Sequence, residues 1–390
     1  MQRWPILTEE DRAAVLRVLD RGVLSGAAAP EMRALEAEFA GTLGGGFCLA
    51  TNSGTSALHI AIGALGLEPG DEVIVPALSF IATAQAVLHE GAVPVFADVD
   101  PVTYNIDPVD AAARVTPRTR AIVPVHLHGL PADMDAVNAV AEPAGLVVIE
   151  DAAQAHGATY HGRPVGTLGA MAAFSLNSTK NLPAGEGGLF VTGSEALCAR
   201  AARVRFDGLE PPAKWDPERP LDDEADSLST VRGSMYLPGE LTCALARAQL
   251  TRLAATTARA QRNAARLTAR LAELPGVIPP RVPAGCTHVF HKYRVRFDPK
   301  AAGLGLTASA LCDRMLQALR GAGVEAVVWQ QVPLPSHPLF ASREPYPVAT
   351  TALEASLVIG SQSYPLFAQP LAVVDEWAEA FEKAWMSLRS

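Results

Sequence analysis

One lysine, Lys180, sits between the apolar run "AAFSL" and a turn containing Gly185, Gly187 and Gly188. The chain has only 5 lysines (180, 214, 292, 300 and 383) among 32 Lys and Arg residues, so an amine here points to a need that a guanidinium would not meet. An amine forms a Schiff base with an aldehyde, and its pKa falls on desolvation; the plain alternative is a solvated loop lysine. Three other segments carry chemistry of their own. "TNSGTSALHI" sets Ser53, Gly54, Thr55 and Ser56 ahead of an apolar helix, which makes either a phosphate cradle or an ordinary Ser/Thr cap. "VVIEDAAQAHG" runs a strand into Glu150 and Asp151, with Gln154 beyond. One of these carboxylates would bind a cation, a sugar hydroxyl or a metal, or merely cap the next helix. "VIVPALSFIATA" places Phe80 after a strand, to cover a planar ligand or fill the core, and Ser175 stands at a strand end as a phosphate donor.

Taken singly, each segment has an ordinary structural explanation. Together they supply a phosphate cradle, an aromatic cover, an acid for a ring nitrogen and an amine for an aldehyde, which are the needs of pyridoxal phosphate (PLP). The sequence has no well-placed GxGxxG and no GxxxxGK[ST], so nicotinamide and nucleoside triphosphate sites fit less well.

The elements that must position these residues alternate between about 50 and 200. "TSALHIAIGALGL", "IATAQAVLHEG" and "DMDAVNAVAEPAG" read as helices; "DEVIVPA", "VPVFADVD", "RAIVPVH" and "LVVIED" read as strands. Strands without polar alternation imply a mainly parallel sheet covered on both faces, an α/β architecture whose ligands sit at the carboxyl ends of the strands. Residues 207–234, rich in Pro, Asp and Glu, read as a long surface loop, either a lid or simply mobile. A helical stretch from about Glu240 to Leu274 leads to the strand-like "HVFHKYRVRF". "SALCDRMLQAL" and a final helix complete a compact α+β unit.

At 390 residues and 49% apolar content the chain can bury one large domain and a smaller one. A net charge of -9 argues against nucleic-acid or anionic-membrane partners, which call for clustered Lys and Arg. The charged start and the lack of a membrane-length apolar run indicate a cytoplasmic protein. Five separated cysteines without a CxxC pair suggest neither zinc nor disulfides. His126 and His128 alternate like a metal pair, but no third ligand is evident, so no metal is expected.

Four stretches, "NSGTSALHIAIGALGLEPGDEVIVPALSFIATAQAVLHEGAVPVFADVD", "TPRTRAIVPVHLHGLPADMDAV", "VIEDAAQAHGATYHGRPVGTLG" and "FSLNSTKNLPAGEGGLFVT", resemble the DegT/DnrJ/EryC1/StrS family of PLP-dependent sugar and aminocyclitol aminotransferases. The likeness runs from "LSGAAAPEMRALEAEFA" to "SQSYPLFAQ". It implies the type I PLP-enzyme (aspartate aminotransferase-like) fold. Residues 1–245 would form an N-terminal arm and large PLP-binding domain, and 246–390 a smaller α+β domain. It also implies a homodimer with active sites at the subunit interface. Carried over by position, Lys180 resembles the Schiff-base lysine, which also moves the proton. Asp151 would pair with the pyridine nitrogen, Gln154 with the phenolic oxygen, and Phe80 would stack on the ring. Gly54, Thr55 and Ser175 would hold the phosphate.

The chain departs from the family's G-x-N-x-R-M pattern, whose Asn reaches the neighbouring subunit's phosphate. Here the stretch is "RGSMYLPGE", with Met235 at the Asn position, so either Ser234 compensates or that contact is absent. His291 and Tyr293 resemble the family's H-x-Y segment near the substrate, with a packed strand as the alternative. The implied reaction takes an amino group from glutamate or glutamine to a keto-sugar, nucleotide-linked, in amino-sugar or secondary-metabolite biosynthesis. A free ketocyclitol is the alternative acceptor. Non-transaminating PLP chemistry and a regulatory protein of the same fold are the others, the sugar-dehydrating version being opposed by Lys180 where those members carry histidine.

Overall fold

The computed structural model describes residues 1–27, 29–210, 228–340, 342 and 344–389. Of the expected loop at 207–234, residues 211–227 lie outside the described residues.

A seven-stranded sheet organises the larger body. Its strands are β1 (Phe47–Thr51), β2 (Glu72–Pro76), β3 (Val93–Ala97), β4 (Thr119–Ile122), β5 (Val147–Asp151), β8 (Met171–Ser175) and β9 (Gly188–Thr192), in the order β1-β9-β8-β5-β4-β2-β3. Neighbours from β8 to β3 pair in parallel, whereas β9 runs antiparallel to both β8 and β1. Six strands, β1 among them, therefore point their carboxyl ends the same way, and the segment joining β8 to β9 turns back at that same edge. β2 is buried at every position because both faces are covered. Val73 and Val75 enter the core cluster on one face and Ile74 the cluster on the other, as the two-residue period of a strand requires.

Among the described residues, the helices of this body follow in chain order: α1 (Glu9–Arg21), α2 (Pro30–Thr42), α3 (Gly54–Gly63), α4 (Ala82–His89), α5 (Pro108–Ala113), α6 (Met134–Ala144) and α7 (Glu195–Arg205). A further helix, α8 (Glu240–Leu250), packs on α1 and α2. Helix α2 starts after Ala29, which has no side chain to cap it. The fully buried Glu240 supplies the missing acceptor, taking the N–H groups of Glu31 and Met32 at 2.8 Å each and the Arg21 guanidinium at 3.0 Å.

The smaller body contains α9 (Leu253–Leu271), α10 (Ala308–Gly321), α11 (Pro347–Glu354) and α12 (Leu371–Arg389). Its antiparallel sheet has the order β10-β12-β14-β13, formed by β10 (Val277–Ile278), β12 (Tyr293–Phe297), β13 (Ala326–Val327) and β14 (Ser356–Ile359). Tyr293, Val295 and Phe297 pack there with Trp377, Phe381 and Trp385. A third sheet joins the bodies, with β11 (Cys286–Thr287) pairing on β6 (Thr159–Tyr160), which pairs in turn with β7 (Arg163–Pro164).

The helical stretch expected from about Glu240 to Leu274 is made of two helices, broken at Thr251 and Arg252. The break is fixed by a tertiary contact: Arg252 donates to Asp11 at 2.8 and 2.6 Å, beside Gln249, which also bonds Asp11. A domain division at 245/246 would fall inside α8, and we place it instead at the α8–α9 junction. The strand expected over "HVFHKYRVRF" is confined to Tyr293–Phe297, because Phe290 takes a positive φ of 47°.

Candidate active site

The carboxyl ends of β1, β2, β5 and β8 bring the chemical residues to one edge. Gly54 and Thr55 open α3 just beyond β1, Phe80 follows β2, Asp151 ends β5 and Ser175 ends β8. Lys180 lies in the loop that carries the chain from β8 back into β9. That loop closes through Leu176 N–H to Gly187 O (2.8 Å), Ala184 N–H to Leu176 O (2.7 Å) and Ser178 N–H to Gly185 O (2.8 Å). Gly185 and Gly187 have φ of 88° and 143°, values that side chains disfavour.

Two contacts set the Lys180 backbone: its N–H donates to Asn177 O (2.9 Å) and its carbonyl accepts from the Trp4 indole (3.1 Å). Trp4 is itself held against Phe367 of the smaller body, ring centroids 4.9 Å apart. Burial disfavours the charged amine and brings the Lys180 pKa down to about 8, against the opposing pull of Asp151 and Glu186. The neutral amine therefore predominates above about pH 8. Acylation of Lys180 by a small amine-reactive reagent, read by peptide mass spectrometry, should rise with a midpoint near 8; a midpoint near the usual 10.5 would contradict this.

Strand alternation separates the two adjacent acids. The Glu150 carboxylate accepts from the N–H groups of Gly166, Leu168 and Gly169 at 2.7 Å each and contacts His126 Nε2 at 3.0 Å, so it pins a loop. His126 Nδ1 accepts from Ala132 N–H (3.0 Å), and the ring is therefore a structural bridge. Asp151 faces the other way. Its Oδ2 accepts from Thr83 Oγ1 (2.7 Å), which contacts Ser79 Oγ (2.8 Å), and its Oδ1 accepts from Ala153 N–H (3.2 Å). Burial pushes the Asp151 pKa up, while Thr83, the Ala153 N–H and the Lys180 and His126 charges oppose the shift. A buried carboxylate in this condition favours a cationic N–H partner.

The α3 N-terminus meets the end of β8 directly. A Cβ at Gly54 would lie 2.7 Å from Ser175 Cβ and 3.1 Å from its Oγ, so only glycine allows this approach. Ser53 caps the helix by accepting from Ser56 N–H (3.1 Å), and Ser53 O takes Ala57 N–H. Among the described residues no acceptor takes the Gly54 or Thr55 N–H groups, which remain as donors at the positive end of the helix. His156 is fully buried beside Phe174, with both ring nitrogens unpartnered among the described residues; burial, then the Lys180 charge, lowers its pKa to about 3.

Gln154 accepts His128 N–H through Oε1 (2.8 Å), and its amide nitrogen has no partner among the described residues. Phe80 is 55% exposed and so does not fill the core. His291 is buried, and its Nδ1 lies 3.3 Å from Oδ1 of Asn181, the residue after Lys180. Tyr293 is not brought to this cluster: it is 0% exposed within the smaller body's core, and its hydroxyl bonds Thr268 at 2.7 Å. Ser234 and Met235 lie on a segment bridged to Phe206, with Met235 51% exposed.

Thr83, Trp4, Asn181 and His156 escaped the sequence reading. Only Thr83 left a local signal, a hydroxyl four residues after Ser79. Among the described residues no group of three or more His, Cys, Asp or Glu is placed to hold a metal ion, and no helix is long and apolar enough to cross a membrane.

The donor set of Gly54, Thr55 and Ser175, together with a buried carboxylate, a partly neutral amine and an exposed ring, suits a phosphate-bearing aromatic aldehyde with a ring nitrogen. Known proteins give the family. The family model described as "DegT/DnrJ/EryC1/StrS aminotransferase family" matches residues 5–368. The chain is 36% identical over 376 residues to the L-glutamine:scyllo-inosose aminotransferase of Streptomyces griseus, covering 92% of this chain and 86% of that one. It is 39% identical over 293 residues to the GDP-perosamine synthase of Caulobacter vibrioides, covering 75% and 74%. The structure matches the X-ray structure of the aminotransferase from Psychrobacter cryohalolentis with a TM-score of 0.89, at 30% identity and 99% coverage of both chains.

Proposed function

The chain belongs to the DegT/DnrJ/EryC1/StrS aminotransferase family, and from that premise we propose that it transfers an amino group from glutamate or glutamine to a nucleotide-linked keto-sugar. It is an aminotransferase with the type I PLP-enzyme, aspartate aminotransferase-like fold, and pyridoxal phosphate is its proposed cofactor. The observation that carries the reading is the convergence of Lys180, Asp151, Ser175 and the open end of α3 at one sheet edge.

When bound, pyridoxal phosphate supplies an aldehyde that takes up amines and a protonated ring that accepts electron density. The Gly54 and Thr55 N–H groups and the Ser175 hydroxyl hold its phosphate, using the helix end as an anion site. Asp151, steadied by Thr83, keeps the ring nitrogen protonated through a charge-assisted hydrogen bond. Gln154 donates its free amide to the phenolic oxygen, and Phe80 covers one ring face. Nζ of Lys180 would hold the cofactor's aldehyde carbon and would take the α-proton of the amino donor; a pKa of about 8 suits a base working near neutrality.

The proposed assembly is a homodimer, with the exposed Met235 segment facing the partner's site. Methionine donates no hydrogen bond, so we assign the phosphate contact of this segment to Ser234. The Streptomyces griseus enzyme carries a cyclitol name and matches 92% of this chain, which favours a free ketocyclitol as the second reading. A mass-spectrometric assay with either donor should detect amine formation from nucleotide-linked keto-sugars. Turnover of scyllo-inosose alone would establish the second reading, and no product from either acceptor class would overturn both.

A further inference from the structure

Strand β12 has two unlike faces. Tyr293, Val295 and Phe297 enter the smaller body's core, while Lys292, just before the strand, and Arg294 and Arg296 on it share the opposite face. Among the described residues none of these three cations has a carboxylate partner. Arg294 is 4% exposed, and its nitrogens go to neutral acceptors: Nε to His128 Nε2 (2.9 Å), Nη1 to Ser356 Oγ (2.6 Å) and Nη2 to Trp329 O (3.2 Å). Its guanidinium also lies against the Trp329 and Tyr104 rings, at 5.5 and 5.7 Å from their centroids. Because His128 Nε2 accepts from Arg294, the ring proton is on Nδ1, which is buried and has no partner among the described residues. The Lys292 side chain takes neither a hydrogen bond nor an ion pair among the described residues.

This group adjoins the active site by direct bonds. His128 N–H donates to Gln154, Lys292 N–H donates to His128 O (3.3 Å), and His291 contacts Asn181 next to Lys180. Lys292 lines a cavity of ≈ 240 Å³ together with Phe290, His291, Trp329, Ser361 and Gln362. That volume admits a small charged group and no nucleotide. Uncompensated cations in so enclosed a place are costly unless a ligand neutralises them. Burial, then the Lys180 and Arg294 charges, lowers the Lys292 pKa to about 7, the shift that a bound anion would reverse.

We propose that Lys292, backed by Arg294 and His128, forms a carboxylate subsite that receives a carboxylate borne by one of the enzyme's substrates. The inference rests on the aminotransferase reading and adds a feature of substrate recognition to it. The carboxylate belongs either to the amino donor or to an acid group on the acceptor.

Calorimetric titration of the cofactor-loaded protein with glutarate, a donor mimic, and with glucuronate, an acceptor mimic, tests it. Lys292→Met and Lys292→Gln should each weaken one of the two probes by roughly tenfold to a hundredfold, the loss of one charge-assisted hydrogen bond. Lys292→Arg should restore most of the affinity, and bound cofactor should stay at the wild-type level in all three. A loss confined to glutarate assigns the subsite to the donor, and one confined to glucuronate assigns it to the acceptor. Wild-type affinity for both probes in both neutral variants, or no saturable binding of either probe to the wild type, overturns the proposal. Neither titration requires turnover. Normal carboxylate binding without amine product counts against the proposed function alone, and normal transamination with unaltered binding in the variants counts against the subsite alone.

Discussion

Replacing Lys180 by alanine should leave a folded protein that no longer holds its cofactor covalently. The loop does not depend on this side chain: the Lys180 N–H bonds Asn177, its carbonyl bonds Trp4, and the neighbouring turn closes through its own backbone. What is lost is the amine, and with it both the anchor and the base for the donor's α-proton. A missing general base costs on the order of 10²–10⁴-fold in rate. Lys180→Arg should be equally inactive, since a guanidinium neither deprotonates near neutrality nor condenses with an aldehyde. Borohydride reduction followed by peptide mapping should find a pyridoxyl-modified lysine in the wild type and none in Lys180→Ala. A reduced, lysine-linked cofactor in that variant would refute the role given to Lys180.

Asp151→Asn should have the second largest effect. Asparagine keeps the size of the side chain and can still accept from Thr83, so the buried site need not collapse. It removes the negative charge that holds the ring nitrogen protonated. The loss of one charge-assisted hydrogen bond, about 2–3 kcal/mol, corresponds to roughly 30- to 150-fold. Single-turnover reaction with L-glutamate should slow by at least this factor while cofactor content falls much less. Near-normal turnover would exclude Asp151 as the ring-nitrogen partner. Glu150→Gln makes the useful contrast: its carboxylate serves three backbone N–H groups and His126, so its replacement should lower stability and leave the half-reaction's pH dependence unchanged.

The sequence exposed the sheet because β2 and β5 are apolar runs whose burial on both faces leaves little room for alternation. It exposed Lys180 because lysine is scarce and the glycines beside it mark an abrupt turn. Residue types alone did not decide between Glu150 and Asp151, and only the family resemblance singled out Asp151. That choice depends on which side of β5 each one faces, and the partners that reveal it, Thr83 and the 166–169 loop, lie far away in the chain. The break between α8 and α9 was hidden because Ala, Leu and Arg continue through it, while its cause is an ion pair with Asp11 from the first helix. Trp4 was hidden for the same reason, its partner being 176 residues away. Tyr293 was legible, however. Tyr293, Val295 and Phe297 alternate as an inward face, and the same alternation places Lys292, Arg294 and Arg296 together opposite.

The most direct test of the account is the near-ultraviolet and visible absorption spectrum of the protein with pyridoxal phosphate, before and after L-glutamate or L-glutamine is added. A lysine-linked cofactor band should be present, and the donor should convert it into the band of the pyridoxamine form. The absence of any cofactor band, or a band that neither amino donor changes, would contradict it.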